Sequence, residues 1–367
     1  MDSPRNVVEA IMRGGSPERV ALMDRPWSDT LRKWIGQGYP VDEKGAPVDP
    51  TIHFGFDTAG CGGWFEWQAR MGVREVVEES DEWEVVRNGN GASHKWWKHK
   101  SGTPEHVAFE MSSREIWERD FRPHLPGTAG QRVTRERVEE TALSLARHRD
   151  SQRWIHYGHQ FIWENLRNSL GDLSLFIHLL TDPGWIRDYC RVYTDLYKEC
   201  FAILLEQAGK PDGMWIYEDL GYRDALFCSP QVYRDLIFPF YAEIVSFFRG
   251  YDLPVVLHTC GFEEPALDMI VEAGFCAVDP MEVKAGNDPL RIAARYGDRL
   301  ALIGGLDVRI LESGDRDHIR RQVTRLIEGM KAAGARYIYM SDHSISTNVD
   351  YDDFRYSLDV YRDHMCY

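Results

Sequence analysis

The chain has 367 residues, 43% of them hydrophobic and 28% charged, and a formal net charge of −15. That composition is ordinary for a globular protein, and the length suits one large α/β barrel or two medium domains. The acid excess repels phosphate backbones and anionic bilayers, which argues against nucleic acid or a membrane surface as a partner.

Residues 4–14 read as a helix, 18–24 as a strand, and 28–37 as a helix stopped by Gly36 and Gly38. Residues 51–57 ("TIHFGFD") alternate like a strand and end in Asp57. Two alternating segments near 82–100 flank Asn88-Gly89-Asn90-Gly91, a strong turn signal, and predict a β-hairpin. From about 150 the rhythm changes. Strands are expected in "RWIHYGH", "GMWIYEDLG", "PVVLHTCG", "AVDPM", "LALIGGLD" and "ARYIYMSD", with helices at 161–182, 183–208, 229–250, 263–273, 288–296, 315–333 and 350–363. Such alternation predicts parallel βαβ units, and about eight strands favour a closed (β/α)8 TIM-type barrel. No Gly-x-Gly-x-x-Gly follows an early strand, so a doubly wound sheet is the weaker choice. The expectation is one barrel over 1–367, with an N-terminal helical and β-hairpin elaboration at about 58–130.

Active-site groups of such barrels sit where strands end and βα loops begin. The predicted strands end in Asp57, His156 and His159, Glu218 and Asp219, His258 and Cys260, Asp279, Asp307, and Asp342 with His343. Within that set His258-x-Cys260 is the sharpest element. Residues i and i+2 of an extended segment point the same way, so an imidazole and a thiolate can reach one ion. Zinc accepts both, at about 2.0 Å for nitrogen and about 2.3 Å for sulfur. The competing reading is a buried cysteine beside a hydrogen-bonded histidine. Gly261 follows at once, and "YEDLG" and "SDHS" bring a carboxylate and an imidazole to the same rim.

The series "GMWIYEDLGYRDALFCSPQVYRDLIFPFYAEIV", "VVLHTCG", "GGLD" and "YIYMSDHSISTNVDYDDF" resembles the uroporphyrinogen decarboxylase-like superfamily over most of residues 150–363. Residues 18–57 resemble the start of its methyltransferase-like members. The resemblance implies a (β/α)8 barrel, and the His-x-Cys-Gly element is similar to that of the zinc-dependent corrinoid and thiol methyltransferases. Carried over, it implies His258 and Cys260 as zinc ligands. Those enzymes take a third ligand, a cysteine, from the last strand's loop; Asp342-His343 stands there, which makes His343 the candidate here. The resemblance implies Glu218 as a fourth, displaceable ligand and Asp219 as its orienter; the strand-end reading adds Asp57, Asp307 and His159 as further catalytic candidates at the rim. The decarboxylase itself carries an Arg-Gln-Ala-Gly-Arg stretch that this chain lacks; the region reads "MDRPWSDTLRKWIG".

The expected activity is therefore zinc-dependent methyl transfer between a small-molecule donor (methoxy, methylamine or thiol type) and a corrinoid or thiol. The alternatives are a decarboxylase-like lyase acting on a carboxylated substrate, and a corrinoid-protein partner with a vestigial site. No cobalamin-binding segment is visible, so a corrinoid would arrive on a partner protein or free. A homo-oligomer is compatible with the sequence. Acids in the first fifteen residues, no run near the roughly 18 apolar residues of a membrane span, and an odd number of cysteines, seven, lead us to expect a cytoplasmic protein with free thiols. Trp64, Trp67, Trp96 and Trp97 either line a lid or pack the hairpin onto the barrel.

Overall fold

The computed structural model describes residues 2–367. After β1 (Ala21–Leu22) and β2 (Thr58–Gly60) come β3 (Arg74–Glu79), β4 (Trp83–Asn88), β5 (Ala92–Trp97) and β6 (Glu105–Phe109). Then follow β7 (Trp154–Gln160), β8 (Gly213–Tyr217), β9 (Val255–His258), β10 (Ala277–Asp279), β11 (Ala301–Ile303) and β12 (Tyr337–Tyr339), separated by helices. Eight strands form one parallel sheet in the order β1-β12-β11-β10-β9-β8-β7-β2. It is a (β/α)8 barrel, closed except for ladder pairing between β1 and β2.

The strand expected at 51–57 is not there. Asp49 caps a helix at Pro50–Phe54, its side chain accepting from the Thr51 N–H, and Gly55 ends it at φ 75°. Proline in the first turn and glycine just past the last are helix punctuation, and they outweigh the alternating pattern. The barrel strand starts later, at Thr58.

That shift gives Asp57 a different position. It lies at the N-terminal end of β2, away from the rim that β2 delivers to. Arg19 forks onto it, Nη1 to Oδ2 at 2.7 Å and Nη2 to Oδ1 at 2.8 Å, and both residues are buried. Asp57 also closes the β1/β2 seam: its N–H donates to Leu22 O at 2.8 Å, and its Oδ2 accepts the Leu22 N–H at 2.7 Å. A carboxylate oxygen thus stands in for a ladder carbonyl, and the geometry gives Asp57 a place in the seam, away from the rim expected for it.

Inside the barrel, side chains stack in rows. Trp215, Val256, Ala277 and Ala301 are register partners across β8–β11, and above them lies the row Tyr217, His258 and Asp279. The lower rows form an apolar cluster that includes Val7, Val8, Ile11 and Met12 of the helix Pro4–Arg13. That helix plugs the N-terminal end of the barrel, so only the opposite mouth is polar.

The hairpin at Asn88–Gly91 forms as predicted, with β4 and β5 paired antiparallel. It is the centre of a four-stranded sheet, β3-β4-β5-β6, inserted between β2 and β7. Its turn is docked by Asn90, buried, whose Nδ2 donates to Ser169 Oγ at 2.7 Å and whose Oδ1 accepts the Ala69 N–H at 2.7 Å. The sheet is thereby held over the helix Ile162–Leu170, beside the barrel mouth.

Replacing Asp57 with alanine leaves a buried guanidinium without its counter-ion and the Leu22 N–H without its acceptor. We expect a loss of about 3–5 kcal/mol in denaturant unfolding, with the metal content of the folded protein unchanged. Unaltered stability would remove the seam role assigned to Asp57.

Candidate metal centre at the barrel mouth

His258 ends β9 on the inner row, and the same alternation brings Cys260 to the inside two residues later. On β8 the inner residues are Trp215 and Tyr217, so the next inward position is Asp219. Donor atoms of Asp219, His258 and Cys260 all lie within 4.8 Å of one another. Cys260 Sγ is 3.5 Å from His258 Nε2, which is 3.7 Å from Asp219 Oδ1. Among the described residues this is the one group of three or more such side chains.

The surroundings orient each donor. Asp279, fully buried, holds His258 Nδ1 at 2.9 Å through Oδ2 and receives the Trp215 indole N–H at 2.8 Å on Oδ1. A proton fixed on Nδ1 leaves the Nε2 lone pair facing Cys260 and Asp219, the usual arrangement behind a metal-bound histidine. Arg25, just past β1, reaches Asp279 Oδ2 at 3.3 Å and lies over the Trp215 ring at 4.9 Å. The Cys260 N–H donates to Asp219 Oδ1 at 3.0 Å, fixing that carboxylate.

Gly261 is dictated by packing. It sits at φ 82°, and a Cβ there would lie 2.3 Å from the Gly221 carbonyl carbon. Only glycine lets the loop after β9 press against the loop after β8, and this contact brings Cys260 to Asp219. Glu282 Oε2 accepts the Gly261 N–H at 2.7 Å, and Asn287 Nδ2 donates to Gly261 O at 2.9 Å.

The electrostatics call for a cation. Burial pushes the Cys260 thiol well above its ordinary value, and Asp219, Glu282, Asp279 and Glu263 push the same way. Burial lowers the His258 value, but Asp279 more than restores it, and the net shift is upward. Burial also raises Asp279, and His258 and Arg25 reverse this. Glu263 is fully buried with neither carboxylate oxygen hydrogen-bonded among the described residues, and burial followed by Asp279 and Glu282 raises it well above the carboxylate range. A thiol among carboxylates stays protonated until a metal ion neutralises them. The nitrogen, sulfur and oxygen donors match zinc, and three protein ligands leave a position open.

Several sequence candidates lie elsewhere. Glu218 borders the same opening, but its carboxylate turns into the helix layer, because neighbouring residues of a strand alternate. Its Oε2 accepts from the Trp163 N–H at 2.8 Å, the Glu164 N–H at 3.1 Å and the Tyr241 hydroxyl at 2.6 Å, so it caps the helix Ile162–Leu170. Of the two acids of "YEDLG", Asp219 joins the donors and Glu218 does not. His343 stands outside the converging group; it is half-buried, with Nδ1 3.4 Å from Ser344 O and its ring edge-on to Trp27. Asp342 staples loops, accepting the Val283 and Val308 N–H groups at 2.8 Å each, and burial raises it to about 6. Asp307 caps the short helix Val308–Glu312 and pairs with Arg309. His159 points outward, fully buried between Phe65 and Tyr197, with burial lowering it to about 4.

Three mouth residues were not singled out by sequence reasoning. Arg25 follows a two-residue strand and carries no motif. Gln160 is the inward residue at the end of β7, a position visible only once the strand's face is known. Glu164 lies on the helix after β7 and lines the opening beside Trp64, Tyr217, Asp219 and His258. Burial and then Asp219 raise Glu164 to about 7, against the pull of Arg167. Trp64 stacks parallel to Tyr217 at 6.2 Å and stays half exposed at the opening. Trp67 packs inward, whereas Trp96 and Trp97 remain exposed.

The family model described as Uroporphyrinogen decarboxylase (URO-D) matches residues 185–364, which span β8–β12 and so carry all three donors. Over that stretch the barrel is similar to the uroporphyrinogen decarboxylase family. Among solved structures, the barrel is similar to a methyltransferase from Methanosarcina mazei, with TM-score 0.69 and 14% sequence identity over 99% of each chain. At that identity the likeness shows the fold. No curated protein matches the chain. No helix among the described residues is long and apolar enough to cross a membrane.

Cys260→Ser and Asp219→Ala should each purify with far less zinc than the wild type, measured by elemental analysis, while His343→Ala keeps it. Asp279→Asn should weaken zinc by roughly 10–100-fold in a chelator competition. Because the thiol must lose its proton, apparent affinity should rise about tenfold per pH unit below the raised Cys260 value. Full zinc in Cys260→Ser, or its loss in His343→Ala, would overturn the ligand assignment.

Proposed function

We propose that this URO-D-like barrel is a zinc-dependent methyltransferase that moves a methyl group from a small-molecule donor to a corrinoid, carried by a partner protein or free. The observation that carries the reading is the convergence of His258, Cys260 and Asp219 within 4.8 Å at the mouth, with the His258 Nδ1 held by Asp279. The Methanosarcina mazei methyltransferase of the same fold supports it.

His258 Nε2, Cys260 Sγ and an Asp219 oxygen would hold the ion. Zinc, when bound there, supplies a Lewis acid that draws electron density from the methylated heteroatom. The protein's own groups do the rest. Trp64 and Tyr217 cover the opening and reduce water access. Glu164, beside Asp219 and held near 7, is placed to protonate the heteroatom as its methyl group leaves, so that donor, corrinoid and one proton give demethylated product and methyl-corrinoid.

Decarboxylation of a polycarboxylated substrate is the second reading, favoured only by the matched family's description. The mouth argues against it. Asp219, Asp279 and Glu282 crowd there, and Arg25 is already turned to Asp279, which leaves no cluster of cations for several substrate carboxylates.

Zinc-loaded protein incubated with cob(I)alamin and methoxy, methylamine or thioether donors should yield methylcobalamin, followed by its absorption spectrum. Glu164→Gln should lower kcat by about 10²-fold and abolish the decline in rate as pH rises through about 7. No methyl transfer with any donor, together with carbon dioxide release from uroporphyrinogen, would transfer the assignment to the lyase.

A further inference from the structure

A cleft of about 640 Å³ runs between the β3–β6 sheet and the barrel rim, and Asp219 and Glu164 lie at its inner end. The volume is that of a small-molecule site. A ligand in the cleft would therefore touch the candidate metal centre at one end and the accessory sheet at the other.

The lining carries its charges in cancelled form. Arg167 is the one lysine or arginine on the wall. Its Nε and Nη2 donate to Asp172 at 2.9 and 3.3 Å, its Nη1 to Glu164 at 2.7 Å, and its plane lies over Phe227 at 4.2 Å. No free cation remains to clamp an anionic ligand. Glu164 and Asp172 are themselves occupied by Arg167, and Asp219 belongs to the donor triad, so no free carboxylate remains to hold an ammonium group.

The rest of the wall is aromatic or neutral and polar. Trp67, Trp96 and Phe227 offer ring faces, and Gln160, Asn168 and Thr103 offer uncharged hydrogen-bonding groups. The pair His94 and His106 faces across β5 and β6, with ring centroids 4.8 Å apart. His94 is 6% exposed, and its Nε2 is buried without a hydrogen-bond partner among the described residues. Burial holds His94 near 4 and also lowers His106, so both rings are neutral at pH 7. A buried, unpartnered ring nitrogen is costly unless something meets it, and a hydroxyl group would.

We propose that the cleft binds an uncharged, hydroxylated ring compound bearing a methoxy group, stacked on the tryptophans, with a free hydroxyl on His94. The ligand class rests on the lining. That its methoxy group is the one that reacts rests on the methyl-transfer reading above.

The test is calorimetric titration of the chelator-treated, metal-free protein, which separates ligand choice from metal chemistry. The probes are 2-methoxyphenol, methyl β-glucoside, tetramethylammonium and mercaptoacetate. One of the two uncharged probes should bind, and which one binds tells whether the ring is a phenol or a sugar. Binding should weaken about tenfold or more in His94→Ala and in Trp96→Ala. Trp96 is exposed on the sheet, so that variant reports even if His94→Ala fails to fold. The proposal falls if neither uncharged probe binds, if binding is the same in Trp96→Ala, or if a charged probe binds better and is lost in that variant. Binding that survives while methyl transfer is absent would instead fault the enzymatic reading.

Discussion

The side-chain alternation of β8 and β9, locked in register, is the constraint on which the mouth depends. Tyr217, His258 and Asp279 form one row, so the next inward positions are Asp219 and Cys260. A one-residue slip of either strand would send a donor into the helix layer, where Glu218 is. The loop contact at Gly261 then sets the separation between the two strand ends, and it tolerates no side chain. The convergence of the three donors is thus a consequence of register and of one glycine, with Asp279 fixing the imidazole from behind.

Around this frame the barrel gathers more negative charge than it can neutralise alone. Asp219, Asp279, Glu282 and Glu263 surround the Cys260 thiol, and the cations turned toward them are Arg25, on Asp279, and Lys284, on Glu282 at 3.2 Å. Burying like charges together is unfavourable without a counter-charge. A divalent cation would resolve the conflict, converting a suppressed thiol into a ligand. The same reasoning separates the mouth from the seam at Asp57, where Arg19 supplies the counter-charge permanently and nothing needs to bind.

The accessory sheet extends the site away from the ion. Its turn is nailed to the helix after β7 through Asn90, and its last two strands carry His94 and His106 over the cleft. Loops and insertions at the C-terminal face are where barrel enzymes vary their substrates, and this insertion supplies most of the neutral polar lining. The candidate metal centre and the cleft therefore come from different parts of the chain, joined at Asp219 and Glu164.

The barrel was legible because seven of its strands are short apolar runs followed by helical periodicity, and the pair His258 and Cys260 because i and i+2 share a face in any strand. The hairpin was legible in Asn88–Gly91, where the turn chemistry is local. What escaped was whatever depends on which face a strand turns inward. His159 and Glu218 read as rim residues, yet each lies one position off the inner face, whereas Asp219 lies on it. Asp57 was misplaced because a capped helix occupies 50–54 and pushes β2 downstream. His343 is near in sequence pattern but not in the converging group. Arg25, Glu164 and the His94–His106 pair gain meaning only when distant segments meet, and no local pattern encodes that meeting. By itself the sequence determined the kind of barrel and one pair of donors. The tertiary structure decided the third donor and the cleft, because only packing brings residues dozens of positions apart within a few ångströms.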